Sequence, residues 1–393
     1  MIRCGLDRLL GQSERLEGRR YGLLCHQASL TADCEPAHLA LLRYRAPPAV
    51  LFAPEHGFYG VEQDMVVARE RRDPVSGLPI VSLYGDDIAS LRPRPEAFEG
   101  LDLLVVDLQD VGARYYTFAA TAVWAAEAAI GRGCEVWVLD RPNPLGGIEV
   151  SGGGVDRELR SFVGAFDMPI RHGLTLAEIV LLEAQRRRWS EGAVTCFPVE
   201  GWRRGDDATA WGTPWVAPSP NMPAAVTAFL YPGLCLVEGT EVSEGRGTTR
   251  PFQLVGAPWV EPARLRRELD RLDLEGVRCV PTFFRPQFQK HAGEVCGGVE
   301  LVVTEPSRLD AVRLGAELVA ALRRLYPDHF RWRERAYEFV EDIPAIDLLT
   351  GSSAYRETVE GGAPVSAWLK SLRGRDEAFR EERRSVLLYP EAP

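Results

Sequence analysis

Lysine is almost missing from this chain of 393 residues. Lys290 and Lys370 are the only two, so nearly all the positive charge is arginine. Positive charge is also in deficit, with 46 basic against 56 acidic side chains and a net charge of −10. A general nucleic-acid binder is thereby excluded, because phosphate neutralisation needs a basic surface. No apolar run approaches the length of a membrane span, and the start, Met1-Ile-Arg-Cys-Gly-Leu-Asp-Arg8, has no continuous apolar core of a signal peptide. The cysteines (Cys4, Cys25, Cys34, Cys134, Cys196, Cys235, Cys279, Cys296) are scattered, with no Cys-x-x-Cys pair. Cys25, Cys134, Cys196 and Cys235 lie in apolar runs, where a thiol acts as a small hydrophobe. These absences predict a cytoplasmic protein of a reducing compartment, with no membrane span, no structural metal and no nucleic-acid partner. The dinucleotide fingerprint, the P-loop, Gly-x-Ser-x-Gly and His-Glu-x-x-His are missing too.

What is present is ordinary globular composition, 46% hydrophobic and 26% charged, on a chain long enough for two cores. Short apolar runs at Tyr21–Cys25, Ala49–Ala53, Leu78–Tyr84, Leu101–Asp107, Glu135–Asp140 and Ala193–Pro198 read as strands. Helical patterns separate several of them, at Pro36–Tyr44, Thr117–Gly131 and Thr175–Trp189, the last with Thr175 as N-cap. Continuous β-branched runs alternating with helices predict an α/β fold, a Rossmann-like parallel sheet covered on both faces and lacking a nucleotide site. After Phe252 the texture changes. Helices are expected at Glu261–Leu272 and Ser307–Tyr326, strands at Val277–Phe284 and Gly298–Thr304, and a charged helical tail from Tyr355. The expected division is a catalytic domain over 1–251 and a smaller α+β auxiliary domain over 252–393, with a cleft between them.

The unusual residues fall where the strands end. Successive strands run into His26-Gln-Ala-Ser29, Pro54-Glu-His-Gly57, Tyr84-Gly-Asp-Asp87, Gln109-Asp-Val-Gly-Ala-Arg-Tyr-Tyr116 and Asp140-Arg-Pro-Asn-Pro144. In open parallel sheets ligands bind outside those carboxyl ends. His56, His172 and His291 lack any local ligand spacing, so a metal-dependent hydrolase is the weaker reading. Carboxylates carry more weight. Glu55, held between Pro54 and an imidazole, is placed for general-acid work, since partial burial can raise a carboxyl pKa. Asp110, Glu238, Glu241 and Glu244 are further acids in polar loops. The run from Glu238 to Pro251 packs three carboxylates and two arginines into one glycine-rich stretch.

Six stretches together resemble the exo-β-N-acetylmuramidase family, formerly classed as a domain of unknown function. They are Phe52-Ala-Pro-Glu-His-Gly-Phe58, Gly77-Leu-Pro-Ile-Val-Ser-Leu-Tyr-Gly85, Asp107-Leu-Gln-Asp-Val-Gly-Ala-Arg-Tyr-Tyr-Thr117, Leu139-Asp-Arg-Pro-Asn-Pro-Leu-Gly-Gly147, Pro218-Ser-Pro-Asn-Met-Pro223 and the Glu238–Phe252 loop. The resemblance continues through His291-Ala-Gly-Glu294 and Ala345-Ile-Asp-Leu-Leu349. It implies a glycosidase that releases N-acetylmuramic acid from the non-reducing end of peptidoglycan fragments, without a cofactor. It makes Glu55 the catalytic glutamate. With that reaction, His56 would orient Glu55, and Asp110, Glu238 or Glu244 would serve as base or charge stabiliser. Arg114, Arg246 and Arg250 are candidates for the lactyl carboxylate. Tyr115 and Tyr116 offer stacking surface or hydroxyls, and Asn143 joins the substrate-binding set. The competing class is a sugar-binding protein with the same cleft and no turnover. Three departures adjoin the motifs: Tyr59 where the family often has arginine, the stretch Asp64-Met-Val-Val67, and Glu241 where asparagine is frequent.

Overall fold

The computed structural model describes residues 2–44, 46–63, 66, 71–85 and 87–391. In chain order its main elements are α1 (Gly5–Leu10), β1 (Tyr21–Cys25), α2 (Ala37–Arg43), β2 (Val50–Ala53), β3 (Ile80–Ser82), β4 (Leu103–Asp107), α3 (Phe118–Ile130), β5 (Glu135–Leu139), α4 (Leu176–Arg187) and β6 (Val194–Phe197). Then follow α5 (Ala225–Leu234), β7 (Leu254–Ala257), α6 (Pro262–Leu269), β8 (Val277–Phe284), β9 (Cys296–Val303), α7 (Ala311–Leu325), α8 (Ala345–Thr350), α9 (Ala354–Glu360) and α10 (Val365–Arg383).

The first six strands form one parallel sheet in the order β3-β2-β1-β4-β5-β6. The period-2 alternation of a strand explains why both faces are apolar. Leu104 and Val106 of β4 join Phe52, Val136 and Val138 under α3 and α4. Leu103 and Val105 join Leu51, Ala53, Trp137 and Leu139 under α1 and α2. Each such buried leucine or valine stabilises the fold by roughly 1.5–3 kcal/mol. Thr175 caps α4 as expected, its hydroxyl accepting from the Glu178 amide while Glu178 accepts from Thr175 N–H at 2.9 Å.

The second sheet is antiparallel, β7-β9-β8, and α6 and α7 pack on it through Leu265, Leu269, Leu314 and Leu318. The α/β sheet and the smaller α+β unit are thus both present. The larger apolar core runs without interruption from α3 through α5 to α7. Helices α5 and α7 cross at Gly233 and Gly315, where a Cβ on Gly233 would stand 1.7 Å from the Ala311 carbonyl oxygen. Any side chain at that crossing would push the helices apart.

Some elements differ from expectation. The helix expected from Ser307 starts at Ala311, because the Asp310 carboxylate caps it by accepting from Arg313 N–H at 3.0 Å. The strand expected over Leu78–Tyr84 contracts to Ile80–Ser82. Helix α5 was not anticipated, and Pro232 lies inside its last turn. Strand β7 and helices α1 and α8 were also unexpected; β7 has four residues and the other two six each.

Candidate active site

A cavity opens at the carboxyl edge of the parallel sheet, beside the switch point between β1 and β4 where the strand order reverses. Its walls come from the loops after β2 and β4, from 219–222, from the end of α5, and from the Glu238–Phe252 and Tyr337–Glu338 segments. The cavity is small and open to solvent.

Glu55 reaches this cavity because β2 ends in a tight turn. Pro54 fixes the entry, Gly57 N–H donates back to the Pro54 carbonyl at 3.2 Å, and His56 takes the left-handed conformation with φ 72°. A histidine held there is strained by roughly 1–2 kcal/mol relative to a right-handed residue. Glu55 is 4% exposed, and its Oε2 accepts from Thr117 Oγ1 at 2.6 Å. Thr117 is the N-cap of α3, yet its side chain makes no cap bond. Forgoing that bond costs about 1 kcal/mol of helix stability, so the hydroxyl serves the carboxylate at the helix's expense. The His56 ring lies in the same cavity and is anchored by Nδ1 against the Glu62 carbonyl at 3.0 Å.

The opposite segment is a ladder of buried charges. Lys290 donates to the carbonyls of Val237 (3.1 Å) and Val242 (3.0 Å) and to Glu244 Oε2 (2.9 Å). Burial pushes the Glu244 carboxyl up, but the Lys290 and Arg246 charges overcome it and hold the group below its ordinary range. Arg246 lies 3.9 Å from Glu244 through Nε and donates to Glu238 Oε1 at 2.9 Å. Tyr337 donates to Glu238 Oε2 at 2.9 Å. Every charge in the ladder therefore meets an opposite one, the condition under which buried ions are tolerated. One of the chain's two lysines is thus a strut behind the cavity wall.

Tyr115, Tyr116, Tyr231, Phe252, Met222 and Val163 also line the cavity, with Ser219, Asn221 and Glu338. Burial pushes the hydroxyls of Tyr115, Tyr116, Tyr231 and Tyr337 well above their usual value, so all four stay neutral. Tyr115 donates to the Pro232 carbonyl, whereas Tyr116 has Ser219 beside its hydroxyl.

Of the residues singled out from sequence, the cavity therefore gathers Glu55, His56, Tyr115, Tyr116, Glu238 and Arg246. The others lie elsewhere. Arg114 is buried and donates to the carbonyls of Gly153 (3.0 Å), Met168 (2.9 Å) and Leu349 (2.5 Å), so its guanidinium braces loops and does not face a ligand. Desolvation lowers its pKa to about 10. Asn143 is likewise internal, donating to Leu174 O at 2.8 Å and accepting from Leu145 N–H at 2.9 Å. Arg250 is on the surface, paired with Glu300. Glu244 lies behind the wall rather than in it. Asp110 accepts from Gly112 N–H at 2.6 Å and lies 3.5 Å from His172 Nε2. His172 Nδ1 accepts from Leu174 N–H at 3.1 Å, which leaves Nε2 to carry the proton towards Asp110.

The remaining motifs resolve in the same way. Tyr59 donates to Asp73 at 2.5 Å, and Glu241 pairs with Arg335 at 3.4 Å. Asp64, Met65 and Val67 lie outside the described residues. His291 contacts the Glu241 carbonyl at 2.9 Å, so His56, His172 and His291 occupy three separate settings. Among the described residues no three His, Cys, Asp or Glu side chains converge to hold a metal, and no helix is long and apolar enough to cross a membrane. The reading from sequence passed over Thr117, Ser219, Asn221, Tyr231, Phe252, Tyr337 and Glu338 as individual site residues. Ser219 and Asn221 lie in a quoted motif, but nothing local marks Tyr337 or Glu338.

Comparison with known proteins supplies the family. The N-terminal part of the exo-β-N-acetylmuramidase NamZ family matches residues 21–226, and its C-terminal part matches 229–389. The chain belongs to the exo-β-N-acetylmuramidase family. It is 36% identical over 392 residues to the peptidoglycan β-N-acetylmuramidase NamZ of Bacillus subtilis strain 168, covering 99% of this chain and 91% of that protein. Two crystal structures of DUF1343 family proteins from Bacteroides fragilis share the fold. One superposes with a TM-score of 0.88 at 29% identity over 99% of both chains, the other with 0.74 at 27% over the whole of both. Within this exo-β-N-acetylmuramidase family fold, the described residues of the cavity offer three buried carboxyl groups (Glu55, Glu238 and Glu338), neutral phenols, apolar rings and the Arg246 guanidinium. Those are the groups that bind a sugar ring and protonate a leaving oxygen.

Proposed function

We infer that this protein is a glycosidase that removes terminal N-acetylmuramic acid from peptidoglycan fragments, with Glu55 as its general acid. The observation that carries the reading is the position of Glu55. It is buried in an aromatic-lined cavity at the carboxyl edge of the sheet, in a chain that belongs to this family along nearly its whole length.

The chemistry follows from the lining. An oxocarbenium-like transition state needs a proton for the departing oxygen and negative charge near the anomeric carbon. Glu55 supplies the first, with Thr117 fixing its carboxyl and His56 shaping the turn that carries it. Met222, Val163 and the aromatic rings give the sugar an apolar floor and exclude water. N-Acetylmuramic acid differs from N-acetylglucosamine by a lactyl ether with its carboxylate, so discrimination between them calls for a cation. Arg246 is the guanidinium on the cavity wall, and it takes that role here. Arg114 and Arg250 do not line the cavity, Arg114 lying buried among backbone carbonyls and Arg250 on the surface beside Glu300. A free N-acetylmuramic acid product suits reuse of wall material, and cells lacking the enzyme should accumulate terminal-muramic fragments.

The test is hydrolysis of a chromogenic β-N-acetylmuramide beside its N-acetylglucosaminide counterpart. Release from the muramide alone is expected, and Arg246→Gln should narrow the preference between the two. Release from neither substrate would contradict the reading.

A further inference from the structure

One buried lysine stands in a chain that otherwise takes nearly all its positive charge from arginine, and its surroundings explain the choice. Lys290 Nζ donates to the carbonyls of Val237 and Val242 and to Glu244 Oε2, at 3.1, 3.0 and 2.9 Å. Three acceptors converging on one atom suit an ammonium, whose three N–H donors share that atom. A planar guanidinium spreads its donors over a fork. The backbone that inserts Lys290 is strained on both sides, with Gln289 and His291 left-handed at φ 66° and 56°. Residues with a Cβ disfavour that conformation, so the segment gives up stability to bring the ammonium to this spot.

Arg246 is fastened to the same segment. It sits between Gly245 and Gly247, left-handed at φ 84° and 80°, and Gln287 N–H donates to the Gly247 carbonyl at 2.8 Å. Its guanidinium lies 5.4 Å from the centre of the Phe252 ring and donates to Glu238 Oε1 on the cavity wall. Glu244, buried behind that wall, competes for it. Arg246 Nε stands 3.9 Å from Glu244 Oε1, too far for a hydrogen bond, while Glu244 Oε2 is taken by Lys290. Burial raises the Glu244 carboxyl, and the Lys290 charge, seconded by Arg246, holds it down. Without Lys290 a buried carboxylate would keep Arg246 as its cation, and an uncompensated buried charge is strongly unfavourable. A shift of about 1 Å would bring the guanidinium onto Glu244 at hydrogen-bond distance and draw it off the cavity wall.

We propose that Lys290 is a specificity-determining positioning residue: by satisfying Glu244 it holds the Arg246 guanidinium on the cavity wall, where the lactyl carboxylate would meet it. This rests on the role given to Arg246 above. Lys290 itself touches no substrate. A lysine that only braced loops would change stability and leave recognition of the carboxylate as it was.

The test is hydrolysis of a chromogenic β-N-acetylmuramide beside its lactyl amide, in which the carboxylate is replaced by a neutral group, with Tm recorded for each variant. In wild type kcat/KM for the acid should exceed that for the amide on the order of 10–100-fold, the worth of a charge-assisted hydrogen bond. Arg246→Gln and Lys290→Met should each bring the ratio close to one. Lys290→Met should also lower Tm, since two carbonyls and a carboxylate lose their donor. Adding Glu244→Gln to Lys290→Met removes the charge that competes for Arg246 and should restore the ratio. Should Lys290→Met not fold, Lys290→Gln, which keeps a donor for the carbonyls without the charge, is read in the same way. Two results would overturn the proposal: a ratio kept by the folded Lys290 variant while Arg246→Gln loses it, or a ratio that Glu244→Gln fails to restore. A wild type that cleaves acid and amide equally well would instead overturn the role of Arg246, and this proposal with it. A wild type inactive on both would overturn the glycosidase reading.

Discussion

The ends of β2 and β5 look alike in sequence and have opposite fates in the fold. Both run from an apolar strand into a polar, proline-containing motif, Pro54-Glu-His-Gly57 and Asp140-Arg-Pro-Asn-Pro144. The first opens on the cavity. The second is closed into the interior. Arg141 forks onto Asp107 at 2.5 and 2.9 Å, and Asn143 braces the loops before α4. Asp140 accepts from Tyr389 of the C-terminal segment at 2.6 Å. Around it Arg204 donates to Glu178 and to the Tyr389 carbonyl, so the tail seals that end of the sheet. Polar residues after a strand thus mark places where the chain bonds to something. What they bond to is decided by elements distant in sequence.

The β1 end adds a third case. His26 accepts from Gln109 N–H at 3.0 Å through Nε2 and lies 3.2 Å from the Pro218 carbonyl through Nδ1. Burial, aided by the Arg141 charge, lowers its pKa to about 3. It is a neutral strut with a fixed tautomer, tying the loop after β4 to the 218–222 cavity wall.

Three predictions bear on this contrast between an open and a closed edge. The largest effect is expected at Arg114, which the structure assigns to bracing. Arg114→Met leaves three carbonyls without their donor and should destabilise the fold by about 3–5 kcal/mol, read by chemical denaturation. A well-folded variant with a raised KM for muramides would return Arg114 to the substrate.

The next effect is a pH dependence at the closed edge. Burial raises the Asp140 carboxyl from its ordinary value of 3.8 to about 7, the Tyr389 hydrogen bond opposing the rise only in part. Between those values the folded protein keeps a proton that the unfolded chain releases. The stability this contributes is fully present below pH ~4 and is lost as pH rises through 7. Its size is at most about 4 kcal/mol for three pH units. Stability curves of wild type and Asp140→Asn should diverge over that window, with the wild type falling more steeply. Parallel curves would mean that Asp140 is ionised throughout. The smallest effect is at Arg250, whose exposed pair with Glu300 should be worth less than about 1 kcal/mol. Arg250→Ala should leave both Tm and muramide kinetics nearly unchanged.

Most of the parallel sheet was legible because buried parallel strands are continuous apolar runs, as at Leu103–Val106. Elements without such a period were not. Pro232 disguises α5, and Leu254-Val-Gly-Ala257 is too short to stand out. In the site, Glu55 was legible from its neighbours Pro54 and His56. Its hydroxyl partner Thr117, 62 residues away, was not. Arg114 and Asn143 sit in the same kind of motif as Glu55, but local sequence cannot distinguish a side chain aimed at backbone carbonyls from one aimed at a ligand. Glu338 gives no local signal at all, because its place in the cavity depends on the path of the folded backbone.

The account stands on the open edge at β2 being the catalytic one. Its most direct test is the turnover of Glu55→Gln on a terminal muramide with a sugar leaving group, beside wild type and with Tm recorded for both. The account predicts a fall in kcat of about 10²–10⁴-fold at unchanged Tm. Undiminished hydrolysis by the folded variant would contradict it.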